Sequence, residues 1–375
     1  RLALAYGAAL EAVGRAEEAR ALYAETDAAA LGDPALEAAL ARLDRGEPAA
    51  PLVSTPVEGA AEALHGVASV YANESGRRFA LIYARLAATL DPGLAEAWLL
   101  VAELFERAAQ PRLALDAYEA APDDPRSRIR VEIGRAGALA ALERKDAAAE
   151  ALRALVAAES EEIEAHVALG DLLRDSERWE EAADAYGEAI DLAEREGREN
   201  WVLYYRRGIA FERAGLWDLA EPDFRRALAI EPEQPLVLNY LGYSLVEKRR
   251  NLDEARGMIE RAVDLRPDDG YITDSLGWVL YRLGEYEEAV TWLEKAVELA
   301  PYDPVINDHL GDAYWMVGRR MEAEFQWRRA RSLEPEPSDL ARIKRKLERG
   351  LDAVLAEEDR EAAAAAGSGR DANGG

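Results

Sequence analysis

The sequence predicts an all-α solenoid built from helical hairpins that repeat along the chain. Between Asp269 and Pro335 one pattern of small, aromatic and proline residues occurs twice, and Gly311 repeats the position of Gly277 after 34 residues. Elsewhere apolar residues recur at helical spacing, and Ala, Leu, Glu and Arg are frequent. Because a lone hairpin cannot bury its apolar faces, neighbouring hairpins must stack on one another.

The residue types within each copy have a packing explanation. Gly277 falls in the first helix and Ala289 in the second, where small residues let two helices approach closely. A helical glycine costs about 0.5–1 kcal/mol relative to alanine, so its recurrence requires such a contact. Gly284 and Gly318 are predicted to end first helices in a left-handed conformation, and Pro301 to end a second helix.

The repeat pattern divides the chain into six predicted segments. Three prolines without helical periodicity indicate an extended connector that interrupts the array. The segments are an amino-terminal group of helices at 1–46, the connector at 47–60, degenerate repeats at 61–200, regular repeats at 201–337, a capping helix at 338–365 and a disordered tail at 366–375.

The capping helix is predicted from one apolar stripe, formed by Leu340, Ile343, Leu347, Leu351 and Val354. Its basic residues are expected on the solvent side. They are Arg342, Lys344, Arg345, Lys346 and Arg349. A terminal helix with one polar face would close the solenoid.

Composition excludes several function classes. The net charge of −27 argues against nucleic acid or an anionic membrane as the partner. Cysteine is absent, and His65, His166 and His309 fall in three separate repeats without a recurring ligand spacing. No phosphate-binding loop or nucleophile elbow occurs. We therefore expect no catalytic residue, no metal and no cofactor, and we expect the chain not to be an enzyme.

First helices are expected to line an inner groove, which is the predicted binding surface. The repeat register places ten aromatic and polar residues there as candidate partner-binding residues. They are Tyr205, Asn239, Tyr243, Asp274, Trp278, Tyr281, Arg282, Asp308, Asp312 and Trp315. The same register projects ten further inner positions in these repeats, at Val202, Ile209, Glu212, Arg213, Leu236, Val246, Glu247, Tyr271, Val305 and Met316. Aromatic residues with a polar tip are typical interface anchors, although some could instead pack against the adjacent repeat. Replacing Trp278 and Tyr281 is accordingly expected to abolish binding and leave stability near wild type.

These intervals resemble those of tetratricopeptide repeat proteins, whose signature has Gly, aromatic, Ala, Ala and Pro at matching places. The resemblance implies a right-handed superhelix of α-hairpins that acts as a non-catalytic scaffold or adaptor for a protein or peptide. Some domains of this family hold acidic chaperone tails with Lys, Arg and Asn. The matching positions here include Tyr205, Ile209 and Tyr240, so no such clamp is expected.

Residues 238–245 and 274–281 carry a more particular resemblance, which covers roughly 201–337. This region is similar to periplasmic and outer-membrane tetratricopeptide lipoproteins of Gram-negative bacteria, one branch of which are protease adaptors. The resemblance implies an envelope protein or processing protease as partner, and it favours a periplasmic or outer-membrane location, with the cytoplasm as the alternative. Any lipid anchor would lie outside this sequence. Two alternatives remain: a targeting array of an enzyme whose catalytic domain lies upstream, and a self-associating structural array.

Overall fold

The computed structural model describes residues 2–30, 34–48, 53–73 and 75–371, and within them all regular structure is helical. This confirms the predicted all-α fold. The described residues form twenty-one helices: α1 Leu2–Ala12, α2 Ala16–Ala30, α3 Pro34–Asp44, α4 Pro56–Val70, α5 Arg77–Leu90, α6 Ala95–Arg107, α7 Pro111–Ala120, α8 Arg128–Ala141, α9 Lys145–Ala158, α10 Ile163–Asp175, α11 Trp179–Arg195, α12 Trp201–Arg213, α13 Trp217–Ile230, α14 Pro235–Glu247, α15 Leu252–Leu265, α16 Gly270–Leu283, α17 Tyr286–Leu299, α18 Pro304–Met316, α19 Arg320–Ser332, α20 Pro337–Arg349 and α21 Leu351–Asp371.

Consecutive helices pack in pairs, and the chain divides into two compact units, residues 1–172 and 173–375. In the first unit the hairpins include α4 with α5 and α6 with α7. In the second unit they are α12 with α13, α14 with α15, α16 with α17 and α18 with α19. First helices also contact the next first helix, as α14 does with α16 and α16 with α18. This second kind of contact positions the candidate site described below.

Small residues bring the two helices of each hairpin together. A Cβ added at Gly277 would lie 2.5 Å from Leu293 Cγ, and one at Gly311 would lie 2.5 Å from Trp327 Cδ1. These separations are far below van der Waals contact, so any larger residue would push the helices apart. The predicted packing role of the repeated glycine is therefore consistent with the structure.

Helix ends follow the local sequence. Asp269 caps α16 by accepting hydrogen bonds from the main-chain N–H groups of Tyr271 and Ile272. Gly284 has φ of 84° and Gly318 has φ of 81°, so both adopt the left-handed conformation predicted for them. These short-range signals set where each first helix of a regular repeat begins and ends.

The carboxyl-terminal end differs from the predicted single capping helix. Gly350 separates α20 from α21. Its φ of 80° and ψ of 159° end the first helix, and glycine adopts this backbone conformation more readily than any residue with a side chain. The helix α21 continues to Asp371, so residues 366–371 of the predicted disordered tail are helical. Residues 372–375 lie outside the described part.

Two further predictions need correction. The helix α4 begins at Pro56, capped by reciprocal hydrogen bonds between Thr55 and Glu58, so 56–60 of the predicted connector are helical. Residues 49–52 of that connector lie outside the described residues.

Lys346, placed on the solvent side of the capping helix by its sequence, is instead buried. None of the helices within the described ranges is long and apolar enough to cross a membrane.

The close contact within the hairpin predicts that a glycine-to-alanine substitution has opposite effects on stability at Gly277 and at Gly257. Gly277→Ala forces a methyl group against Leu293 and should lower the free energy of unfolding by about 1–3 kcal/mol. Gly257→Ala in α15 meets open space and should raise it by about 0.5–1 kcal/mol. Urea unfolding followed by circular dichroism measures both, and equal shifts of the two variants would contradict the contact.

Candidate functional site

The first helices α14, α16 and α18, with the end of α12, surround a cavity of about 400 Å³. It lies within the second unit. The lining residues are Glu212, Arg213, Asn239, Tyr240, Tyr243, Ser244, Glu247, Lys248, Tyr271, Asp274, Ser275, Val305 and His309. Asn239, Tyr243 and Asp274 are thus brought together as the register predicted, with five of the further projected positions beside them. These are Glu212, Arg213, Glu247, Tyr271 and Val305.

Tyrosine rings form much of the cavity wall. Burial raises the pKa of Tyr240 and of Tyr243 above the usual value of 10, at which a tyrosine hydroxyl is already protonated at neutral pH. Tyr271 is 62% exposed at the edge of the cavity. Such rings offer apolar area together with hydroxyl donors, which suits them to contact a peptide.

Asn239 supplies a free acceptor in this wall. Its side-chain oxygen Oδ1 is buried and has no hydrogen-bond partner among the described residues. A buried amide oxygen without a partner costs free energy, which a ligand N–H donor recovers once the side chain turns that oxygen toward the cavity. The wall therefore combines apolar surface with one unsatisfied acceptor.

The carboxylates around the cavity already have partners on the next first helix. Glu247 accepts hydrogen bonds from Trp278 Nε1 at 2.9 Å and from an Arg282 nitrogen at 2.6 Å. Glu212 accepts from the Tyr240 hydroxyl at 3.2 Å. We call this series of contacts between consecutive first helices the carboxylate ladder; its members are Glu212, Glu247, Asp274, Asp308 and Asp312.

Asp274 pairs with His309, and both residues line the cavity. Its carboxylate lies 3.0 Å from His309 Nδ1, and the His309 ring stacks on Trp278 with centroids 4.0 Å apart. Burial by itself would lower the His309 pKa. The nearby carboxylates of Asp274, Asp308 and Asp312 outweigh burial and raise that pKa above its usual value of 6.5.

Trp278 and Tyr281 do not project into open groove, contrary to the sequence interpretation. Both are buried, and their rings stack with centroids 4.8 Å apart. Trp278 is held between Tyr281 and His309, and its indole N–H donates to Glu247. These side chains join consecutive repeats, so the expectation that their removal leaves stability unchanged conflicts with their burial.

Asp308 and Asp312 are likewise occupied by the chain itself. The buried ammonium group of Lys346 lies 2.7 Å from Asp308 Oδ2 and 2.6 Å from Asp312 Oδ1. Arg342 adds an ion pair to Asp312 at 3.2 Å, and Trp327 Nε1 donates to the same residue. The helix α20 therefore fills the level of the groove beyond α18.

The three remaining predicted residues also make internal contacts. Arg282 pairs with Glu247, as described above. Tyr205 packs edge-to-face on Tyr240 at 5.9 Å and borders the cavity only through that ring. The guanidinium group of Arg320 lies 3.7 Å above the Trp315 ring, where it forms a cation–π contact.

Tyr240 and His309 line the cavity but were not among the candidate binding residues. The signal for His309 was the 35-residue separation from Asp274, because residues one repeat apart on first helices face each other. Lys346 follows Asp312 by 34 residues in the same way. No group of three or more metal-ligating side chains occurs within the described residues.

Comparison with known proteins agrees with this architecture. The Tetratricopeptide repeat family matches four overlapping segments, 133–199, 167–235, 205–269 and 241–304. A TPR repeat-containing protein of Pseudomonas aeruginosa is 32% identical over 127 residues, which is 34% of this chain and 21% of that protein. The chain thus spans about a fifth of the length of this curated relative.

Two solved structures share the fold. A tetratricopeptide repeat protein from Parabacteroides merdae is 16% identical with a TM-score of 0.54, covering 68% of this chain and 97% of that one. A chain of the APC/C hetero-tetramer Cut9–Hcn1 is 15% identical with a TM-score of 0.53, covering 80% of this chain and 57% of that one. At these identities the likeness concerns the fold alone.

Burial of the stacked pair predicts a large stability loss. Trp278→Ala should lower the free energy of unfolding by about 3–5 kcal/mol, because it removes an indole ring packed between two repeats. Tyr271→Ala, on the same helix but exposed, should change it by less than about 0.5 kcal/mol. Denaturant titration separates the two; an unchanged midpoint for Trp278→Ala would show that the ring does not hold the repeats together.

The raised pKa of His309 predicts a pH dependence of stability. Since the folded state holds the proton more tightly than the unfolded state, this stabilisation is complete below the unfolded pKa of 6.5 and is lost as pH rises through the folded pKa. The free energy of unfolding should therefore fall more steeply in the wild type than in His309→Gln as pH rises above 6.5. Parallel curves for the two proteins would contradict a bound proton at His309.

Proposed function

Because this chain is a tetratricopeptide repeat protein, we propose that it is a protein-interaction scaffold whose cavity between α14, α16 and α18 binds a segment of its partner. The observation that carries the proposal is the contrast between two levels of one groove. At α14 and α16 the wall has tyrosines and an unpaired amide oxygen on Asn239. At α18 the carboxylates of Asp308 and Asp312 are already paired with the ammonium group of Lys346.

An extended peptide segment fits this cavity best. A volume of about 400 Å³ falls within the range of ligand pockets and accommodates one or two side chains. An apolar side chain would pack among Tyr243, Tyr271 and Val305, and a main-chain N–H of the same segment would donate to Asn239 Oδ1. The apolar contact buries tyrosine surface, which is the usual source of binding energy in such interfaces.

The partner class follows from the family resemblance rather than from the cavity. An envelope protein or a carboxyl-terminal processing protease is the partner that the similar lipoproteins imply for residues 201–337. Peptides from envelope proteins and from processing proteases should both be included in the binding experiment. The scaffold role itself does not depend on which of them binds.

Two exposed tyrosines give a matched test. Tyr271 lines the cavity and Tyr302, 79% exposed, does not. A peptide selected on the wild-type chain from a displayed library should bind Tyr271→Ala with about tenfold lower affinity, since one aromatic anchor is lost. Tyr302→Ala should bind it as the wild type does. Fluorescence anisotropy of the labelled peptide measures both affinities.

A substitution of Asn239 gives a second test of the cavity as the binding site. Asn239→Leu, which keeps the side-chain volume and removes the acceptor, should weaken the same peptide by several-fold. If the selected peptide binds the Tyr271 and Asn239 variants as tightly as the wild type, the binding surface lies elsewhere. If no peptide is selected at all, the peptide-binding proposal is rejected.

A further inference from the structure

A second surface, in the first unit, shares no residue with the cavity. The helix α5 exposes four large apolar side chains, of which Leu90 lies at its end. The other three are Phe79 at 58%, Ile82 at 53% and Leu86 at 47%. Their spacing of three and four residues aligns them along one edge of the helix, over about 10 Å. The Tyr71 ring, also exposed, lies 6.2 Å from the Phe79 ring and extends the stripe.

Two of the regular repeats carry only polar or small residues at these positions, whereas α13 and α19 each carry one exposed apolar side chain there, Leu219 and Phe325. Aligning the buried Ala80 of α5 with Ala289 of α17 pairs the apolar stripe with Glu288, Thr291 and Lys295. The same alignment with Ala255 of α15 gives Glu254, Gly257 and Arg261. The position faces solvent in the regular repeats, so the apolar stripe of α5 has no role in building its hairpin.

The charge of α5 also departs from the rest of the chain. It contains Arg77, Arg78 and Arg85 and no acidic residue, whereas the whole chain has 73 acidic and 46 basic residues. Arg77 donates to the main-chain oxygen of Arg107. Arg78 and Arg85 are exposed and have no acidic partner within the described residues. On the helix surface these two arginines lie along one side of the apolar stripe.

We propose that this face of α5 docks an amphipathic helix of a protein partner, one whose apolar stripe is flanked on one edge by Asp or Glu. A helix matches the stripe because side chains three and four residues apart form a ridge that fits between those of a second helix. Carboxylates complement Arg78 and Arg85, which have no acidic partner among the residues that the structure describes. The net charge of −27 disfavours an extended anionic partner, such as a second copy of the chain or an anionic lipid surface, whereas a single helix meets only the local arginines of α5.

Two synthetic helical peptides test the proposal against the full chain. One has leucines on one face with glutamates along one edge; its twin has lysine in place of each glutamate. The glutamate peptide should bind at least about tenfold more tightly at low salt. The variant Phe79→Glu, Ile82→Thr and Leu86→Lys, which installs the residues of α17, should lose that binding by about tenfold or more. Arg78→Glu with Arg85→Glu should reverse the preference between the twins.

Circular dichroism and thermal unfolding show whether each variant is folded, and Ile82→Thr alone replaces the triple variant if that one is not. Equal binding of the twins, or unchanged binding by the apolar variant, overturns the proposal. Two outcomes reassign the face. Cosedimentation with vesicles of phosphatidylcholine and phosphatidylglycerol that requires Phe79 assigns it to lipid. Dimerisation in sedimentation velocity that requires Phe79 assigns it to a second copy.

Discussion

The regular hairpins of the second unit depend on the close approach of their two helices at a small residue. Gly277 against Leu293 and Gly311 against Trp327 leave no room for a Cβ. The space saved there is what allows a leucine or tryptophan of the second helix to lie across the first. Once each hairpin is closed in this way, its first helix presents one face to the next first helix, and the candidate site is built on that face.

The carboxylate ladder determines which parts of this face are open. At each level a carboxylate of one first helix meets a donor of the next: Trp278 and Arg282 at Glu247, His309 at Asp274, Lys346 at Asp308 and Asp312. Asp274, Asp308 and Asp312 are buried, and a buried carboxylate without a donor would cost several kcal/mol, so their partners are required. Glu247 is exposed and depends less on its own partners. The cavity occurs where tyrosines and the amide of Asn239 make up much of the wall, next to the ladder residues Glu212, Glu247 and Asp274.

Structural features that depend on a single repeat were predicted well from the sequence. The hairpin glycines, the left-handed ends at Gly284 and Gly318 and the all-α class follow from a pattern that recurs every 34 residues. The open part of the groove was harder to predict, because it depends on pairs of side chains in different repeats. Trp278 looked free when only its own hairpin was considered, and its partners Glu247 and His309 lie 31 residues before and after it. The helix break at Gly350 was missed because the apolar stripe continues in register on both sides.

The carboxylate ladder also means that these repeats are not interchangeable. Each junction uses its own pair of residues, so a copy of residues 270–303 inserted after itself would place Ser275, not a histidine, opposite Asp274. An array of near-identical repeats can misfold by pairing units out of order, a known failure of repeat proteins. Here a wrongly ordered pair would bury a carboxylate without its donor. The ladder thus encodes the order of the repeats in the charge of their junctions, and it does so independently of the apolar pattern that all of them share.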